Sequence, residues 1–98
     1  MKSIIQEDRE HCFICGGRAN GDPLDEHHVY GGANRTISER YGLKVYLHHN
    51  KCHIFGKQSV HQNAEVGKMV KQVVQERAMQ YYNWTVDDFM RLIGKSYL

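Results

Sequence analysis

Cys12-Phe13-Ile14-Cys15-Gly16-Gly17 sets two thiols three residues apart and follows them with two glycines, which can take positive φ and fold the chain back beneath a metal ion. Structural zinc takes four nitrogen or sulfur ligands in a tetrahedron, so this knuckle is half a site and requires a second pair. His49-Asn50-Lys51-Cys52 repeats the three-residue spacing further along the chain, and His48, one residue earlier, is an alternative to His49 that spacing does not decide. A structural Zn2+ held by Cys12, Cys15, His49 and Cys52 is therefore expected, with His48 as the alternative imidazole. Three cysteines are an odd number for a closed disulfide framework, and in a reducing compartment their thiolates are free for metal.

Working outward, 98 residues make one domain with a modest core, for which a zinc staple would supply stability. With 41% hydrophobic and 24% charged residues and a single proline, the composition is that of a soluble globular chain rather than a disordered or fibrous one. No stretch approaches the ~20 apolar residues that cross a bilayer. Met1 to Glu7 turns acidic before a secretory segment could form, so a cytoplasmic location and no membrane partner are expected. Charge is unevenly spread: residues 1–33 hold three basic and six acidic side chains, residues 34–71 seven and two, and residues 72–98 three and three. The middle segment has the balance a phosphate-facing surface needs, which a solvated basic face would also show.

Asn20-Gly21-Asp22-Pro23 is turn chemistry, after which Leu24 to Tyr30 suits a strand that Gly31-Gly32 breaks. Ser38 to Tyr41 makes one helical turn before Gly42, and Leu43-Lys44-Val45-Tyr46-Leu47 alternates as a half-buried strand does. Ser59-Val60-His61-Gln62 has the form of a capping box, which starts a helix near Val60. Val66, Met69, Val70, Val73, Val74, Ala78 and Tyr81 give that helix one apolar face as far as about residue 82, a stripe best read as core packing. Thr85 with Asp88 caps a short second helix over about 86–93, ended by Gly94.

Six of the seven histidines fall at positions 27, 28, 48, 49, 53 and 61. Neighbouring side chains on a strand point to opposite faces, so the doublet His27-His28 calls for a reason. If one imidazole holds a divalent ion and the other stays free as a general base near neutral pH, the pair suits hydrolysis of a phosphodiester.

The succession of zinc knuckle, His-His on a strand, Gly-Gly-x-Asn-Arg loop, Tyr-Gly-Leu-Lys-Val-Tyr-Leu strand, second knuckle and Val-His before a helix resembles the HNH endonucleases, and within them small phage-type proteins. The likeness runs from about Cys12 to Asn63. It implies an α+β fold with a ββα-metal core, stapled by the structural zinc and followed by a long amphipathic helix and a short C-terminal one. It also implies a metal-dependent DNA nuclease, with DNA as partner and a phage or host recombination or packaging protein beside it, in a host cell if phage-encoded. Carried over by position, His27 is a ligand of the catalytic ion (Mg2+, Mn2+ or Ni2+), His28 is the general base, and one or both of His53 and His61 are further ligands. Placement of His61 in the first turn of a helix would lower its pKa.

The asparagine that the family places at the start of the second strand would fall near Leu43 or Lys44, and neither is Asn, so Asn34 is its expected substitute. Histidine in the second knuckle is a further departure, although a three-sulfur, one-nitrogen set is ordinary zinc chemistry. Arg35, Lys44, Lys51 and Lys57 are the expected contacts to flanking phosphates, which bind without reading sequence. The competing class is a non-catalytic zinc-stapled module that binds DNA or a protein.

Overall fold

A computed structural model describes all residues from Met1 to Leu98 as a small α+β fold built on one two-stranded sheet. Strand β1 (Leu24–His28) pairs antiparallel with β2 (Lys44–His48), with Leu24 opposite His48 and His28 opposite Lys44. Between them lies helix α1 (Arg35–Tyr41). A π-helical turn over His49–Ile54 follows β2, and then come α2 (Ala64–Tyr82) and α3 (Val86–Ile93). No helix is long and apolar enough to cross a membrane.

An isolated strand pair is marginal in water, so both faces of this one have to be covered. Leu43, Val45 and Leu47 are fully buried and join Val29 and Tyr30, Val70, Val74 and Ala78 of α2, and Phe89 and Ile93 of α3 in one core. Residues 3–13 lie along the free edge of β2: Ser3 Oγ donates to the Lys44 carbonyl (2.5 Å), Phe13 N–H to the Tyr46 carbonyl (2.8 Å), and the Tyr46 N–H to Gln6 Oε1 (2.7 Å). The polar N-terminal stretch thus satisfies an edge that would otherwise expose unpaired backbone groups. Ser38 joins the end of β1 to α1, its hydroxyl donating to the Tyr30 carbonyl (2.8 Å) and accepting from the Tyr30 N–H (3.1 Å). Gly42 ends α1 at φ +69°, a left-handed conformation that costs glycine nothing.

Helix α2 does not start near Val60. The amides of Val60 and His61 already donate to the carbonyls of Cys52 (2.9 Å) and His53 (3.2 Å), which holds both residues against the π-helical turn. Ser59 Oγ accepts from the Gln62 N–H (3.2 Å), but the Gln62 amide reaches the Ile54 carbonyl instead (3.1 Å), so the expected capping box closes only a turn. Asn63 is the cap, its Oδ1 accepting from Glu65 N–H (3.0 Å) and Val66 N–H (3.1 Å). The buried stripe of α2 is also narrower than its apolar pattern: Val70, Val74 and Ala78 are covered, whereas Met69 and Tyr81 are exposed. Helix α3 begins as expected, with Thr85 and Asp88 forming the reciprocal capping box.

Asn63 serves two otherwise orphaned amides, so Asn63→Ala should cost about 1 kcal/mol of stability, read as a lower urea midpoint at unchanged slope.

Candidate metal centres

The sulfur cluster forms where the knuckle meets the end of β2. Cys12 and Cys15 sit on a tight turn in which Gly16 N–H donates to the Cys12 carbonyl (2.8 Å) and Cys12 N–H to the Gly17 carbonyl (2.9 Å). The metal-binding atoms of Cys12, Cys15, His48 and Cys52 all lie within 4.8 Å of one another, consistent with a structural zinc site. His48 Nδ1 stands 3.3 Å from Cys15 Sγ and 3.8 Å from Cys52 Sγ, while Nε2 lies 2.6 Å from the Arg18 carbonyl. Donation of Nε2–H to that carbonyl keeps the Nδ1 lone pair for a metal.

The imidazole here is His48, not His49. One step past the strand, His49 turns away and places Nδ1 2.5 Å from Asp25 Oδ2. Strand alternation separates the two rings, and the helical turn then returns Cys52 to the face of His48, four residues before it. The thiols need a cation. Burial raises the Cys12 thiol, but the backbone N–H groups around it outweigh that and bring it to about 7. Burial, and then Cys12 alongside, push Cys52 up to about 12. Three sulfurs this close do not all ionise unless a positive ion sits among them.

A second cluster lies across the sheet end. His27 comes from β1, His53 from the π-helical turn and His61 from the turn ahead of α2. Ring centroids are 4.9 Å apart for His27 and His53, 4.8 Å for His53 and His61, and 6.0 Å for His27 and His61. Burial, then the charges of His53, His61, His28 and Lys71, push His27 down to about 3. His61 is lowered by burial and then by His53. The expected lowering of His61 therefore arises from burial and then from His53, and not from a helix start, since α2 begins three residues later. His53 Nδ1 stands 2.9 Å from Asp25 Oδ2, an arrangement that turns Nε2 toward the other two rings.

Asp25 escaped the sequence reading. Residues i and i+2 of a strand share a face, so an aspartate two before His27 was a legible signal for a carboxylate beside this cluster. At 2.5 and 2.9 Å from the nitrogens of His49 and His53, it sits at hydrogen-bond spacing, closer than two ligands on one ion stand. Burial raises its carboxyl, but the hydrogen bonds from His53 and His49 outweigh that and hold it below the ordinary range.

His28 points to the opposite face, its Nε2 3.2 Å from Glu39 Oε1. It nevertheless borders, with His27, His61, Val60, Gly67 and Lys71, one cavity of about 200 Å3. Glu39, a second residue missed in sequence, is held well below the usual carboxylate range by the N-terminal ammonium, Lys44 and His28.

Two expected contacts are placed elsewhere. Lys44, read as a phosphate contact, is buried with its ammonium 2.9 Å from Glu39 Oε2 and 3.3 Å from Glu26 Oε1, so its charge is spent inside the protein. Asn34, the substitute catalytic asparagine, donates from Nδ2 to the Ile93 carbonyl (2.9 Å) and ties the loop to the end of α3. Arg35, Lys51 and Lys57 remain exposed.

Cys52→Ser should abolish stoichiometric zinc and lower the melting temperature by about 10 °C or more, read by metal analysis and calorimetry. The histidine cluster has its own signature. Because His27 titrates near 3 folded and near 6.5 unfolded, the unfolded chain binds more protons between those values, so stability falls as pH drops from 6.5. The slope from this group is at most about 1.4 kcal/mol per pH unit, and His27→Gln should flatten it in urea titrations without added divalent metal. Compared with protein-family models, with curated proteins and with solved structures, the chain matches none of them.

Proposed function

We propose that this protein is a metal-dependent nuclease that hydrolyses phosphodiester bonds, with a ββα-metal core of the HNH kind. The observation that carries this reading is the convergence of three imidazoles from separate elements on one point, beside a fourth that keeps a free nitrogen. The antiparallel β1–β2 pair, followed by the histidine-bearing turn and α2, supports the architecture.

His27, His53 and His61 would hold the catalytic ion, with Asp25 as a positioning residue that orients His53. A set of neutral imidazoles without a directly ligating carboxylate suits nickel or zinc better than magnesium, which narrows the expected metals. When bound, the ion supplies positive charge to the oxygens of the scissile phosphate and its leaving group. On the other side of the cavity, the Glu39 carboxylate accepts Nε2–H of His28, which selects the tautomer whose lone pair is on Nδ1. That nitrogen accepts the proton of the attacking water, and the imidazolium that forms is stabilised by Glu39. Lys44 bridges Glu39 and Glu26, which holds both carboxylates in place near His28.

Plasmid cleavage with added Ni2+, Mn2+ or Mg2+ tests this. His28→Ala should lower the rate by about 10²- to 10⁴-fold with both metal sites loaded, whereas His27→Ala should lose the second ion as well. Full metal-dependent cleavage by His28→Ala would remove the base from the mechanism. A wild-type protein that binds one ion only and cuts under none of these metals would leave the zinc-stapled binding module as the reading.

A further inference from the structure

Beside the histidine cavity lies a wider one of about 560 Å3, and the two share Val60, Gly67 and Lys71 as common walls. Gly67 stands inside α2, where glycine costs roughly 1 kcal/mol against alanine. A Cβ there would lie 3.1 Å from the Val60 carbonyl, at the junction of the two spaces. The missing side chain lets the Val60 carbonyl pack against α2 where the two spaces adjoin.

The far wall is residues 95–98, fixed by α2. Gln75, fully buried, accepts from Tyr97 N–H (2.7 Å) and donates to Ser96 Oγ (3.0 Å), and Gln72 Nε2 donates to the Tyr97 carbonyl (2.8 Å). Three polar bonds thus hold a short segment in one position, and the groove is built before any ligand arrives.

Lys68, Lys71 and Lys95 line this space, and no acidic side chain does. The ammonium groups of Lys71 and Lys95 rest 5.3 and 4.9 Å from the centre of the Tyr97 ring. An aromatic face orients an ammonium without neutralising it. The contrast with Lys44, paired to two carboxylates, is direct: the groove lysines keep their charge for something outside the protein.

We propose that the groove between α2 and residues 95–98 receives the phosphate backbone of a nucleic acid on one flank of the bond to be cut. The proposal rests on the nuclease reading for its orientation, since the groove adjoins the histidine cavity. It also replaces Lys44 among the flanking contacts with three residues from the C-terminal half. Such contacts carry no base information, so binding is sequence-tolerant and strongly salt-dependent.

The test uses the full chain with zinc in its clip, a fluorescein-labelled DNA duplex and the matching single strand. Anisotropy is read over a series of salt concentrations without added divalent metal. Lys68→Ala/Lys71→Ala/Lys95→Ala should reduce the slope of log Kobs against log salt by about 2 to 3 on duplex, at roughly 0.9 per lost contact, and by about 2 on single strand. Zinc content and melting temperature should stay unchanged. Arg40→Ala/Arg91→Ala, exposed cations outside the groove, should alter the slope less. An unchanged slope in the triple variant, an equal loss in the outside pair, or no DNA binding by the wild type would overturn the proposal. The two readings fail separately. Groove-dependent binding without cleavage under any metal removes the nuclease and keeps the groove, and metal-dependent cleavage with a triple variant of wild-type slope does the reverse.

Discussion

The clasp of Cys12, Cys15, His48 and Cys52 is the constraint on which the other placements depend. It ties the N-terminal knuckle to the end of β2 and to the π-helical turn. Cys52 and His53 are adjacent, and their carbonyls accept from the amides of Val60 and His61. The position of the Cys52 sulfur on one side of this turn therefore goes with the position of two imidazoles on the other. Two members of the clasp, Cys12 and Cys52, also belong to the hydrophobic core, so an ion held there would couple metal binding to core formation.

The histidine doublet divides labour because a strand has two faces. His27 turns toward His53 and His61, and His28 toward Glu39. Each face brings its own carboxylate, Asp25 to the imidazole cluster and Glu39 to His28, and each carboxylate selects which ring nitrogen keeps its lone pair. Burial and the neighbouring imidazoles lower His27 and His61, which favours the neutral form of both rings.

Several features were legible because they are local. The Cys-x-x-Cys turn, the Thr85–Asp88 box and the glycine stops at Gly42 and Gly94 depend on groups within a few residues, and they stand as the pattern suggests, whereas β2, expected to be half-buried, is buried on both faces because the N-terminal arm covers its second side. The start of α2 was not legible. Ser59-x-x-Gln62 has the right residues for a cap, but the amides that a helix would leave free were already taken by Cys52 and His53. Lys44 read as a surface cation because strand alternation turned it outward, and only the arm over β2 and the acidic pair of Glu26 and Glu39 made that face an interior.

By itself the sequence determined that two thiols and a second Cys/His pair would come together as a candidate zinc site, that the middle of the chain is a strand pair, and that histidines crowd one region. These follow from spacing and from the periods of strand and helix, which no partner alters. Tertiary structure decided the rest: His48 over His49, Asn34 as a strut to Ile93, the Asp25 bond to His53, and the groove that Gln75 builds from residues 95–98. Each of these joins groups some twenty or more residues apart, where direction is set by what packs against a side chain and not by where it stands in the chain.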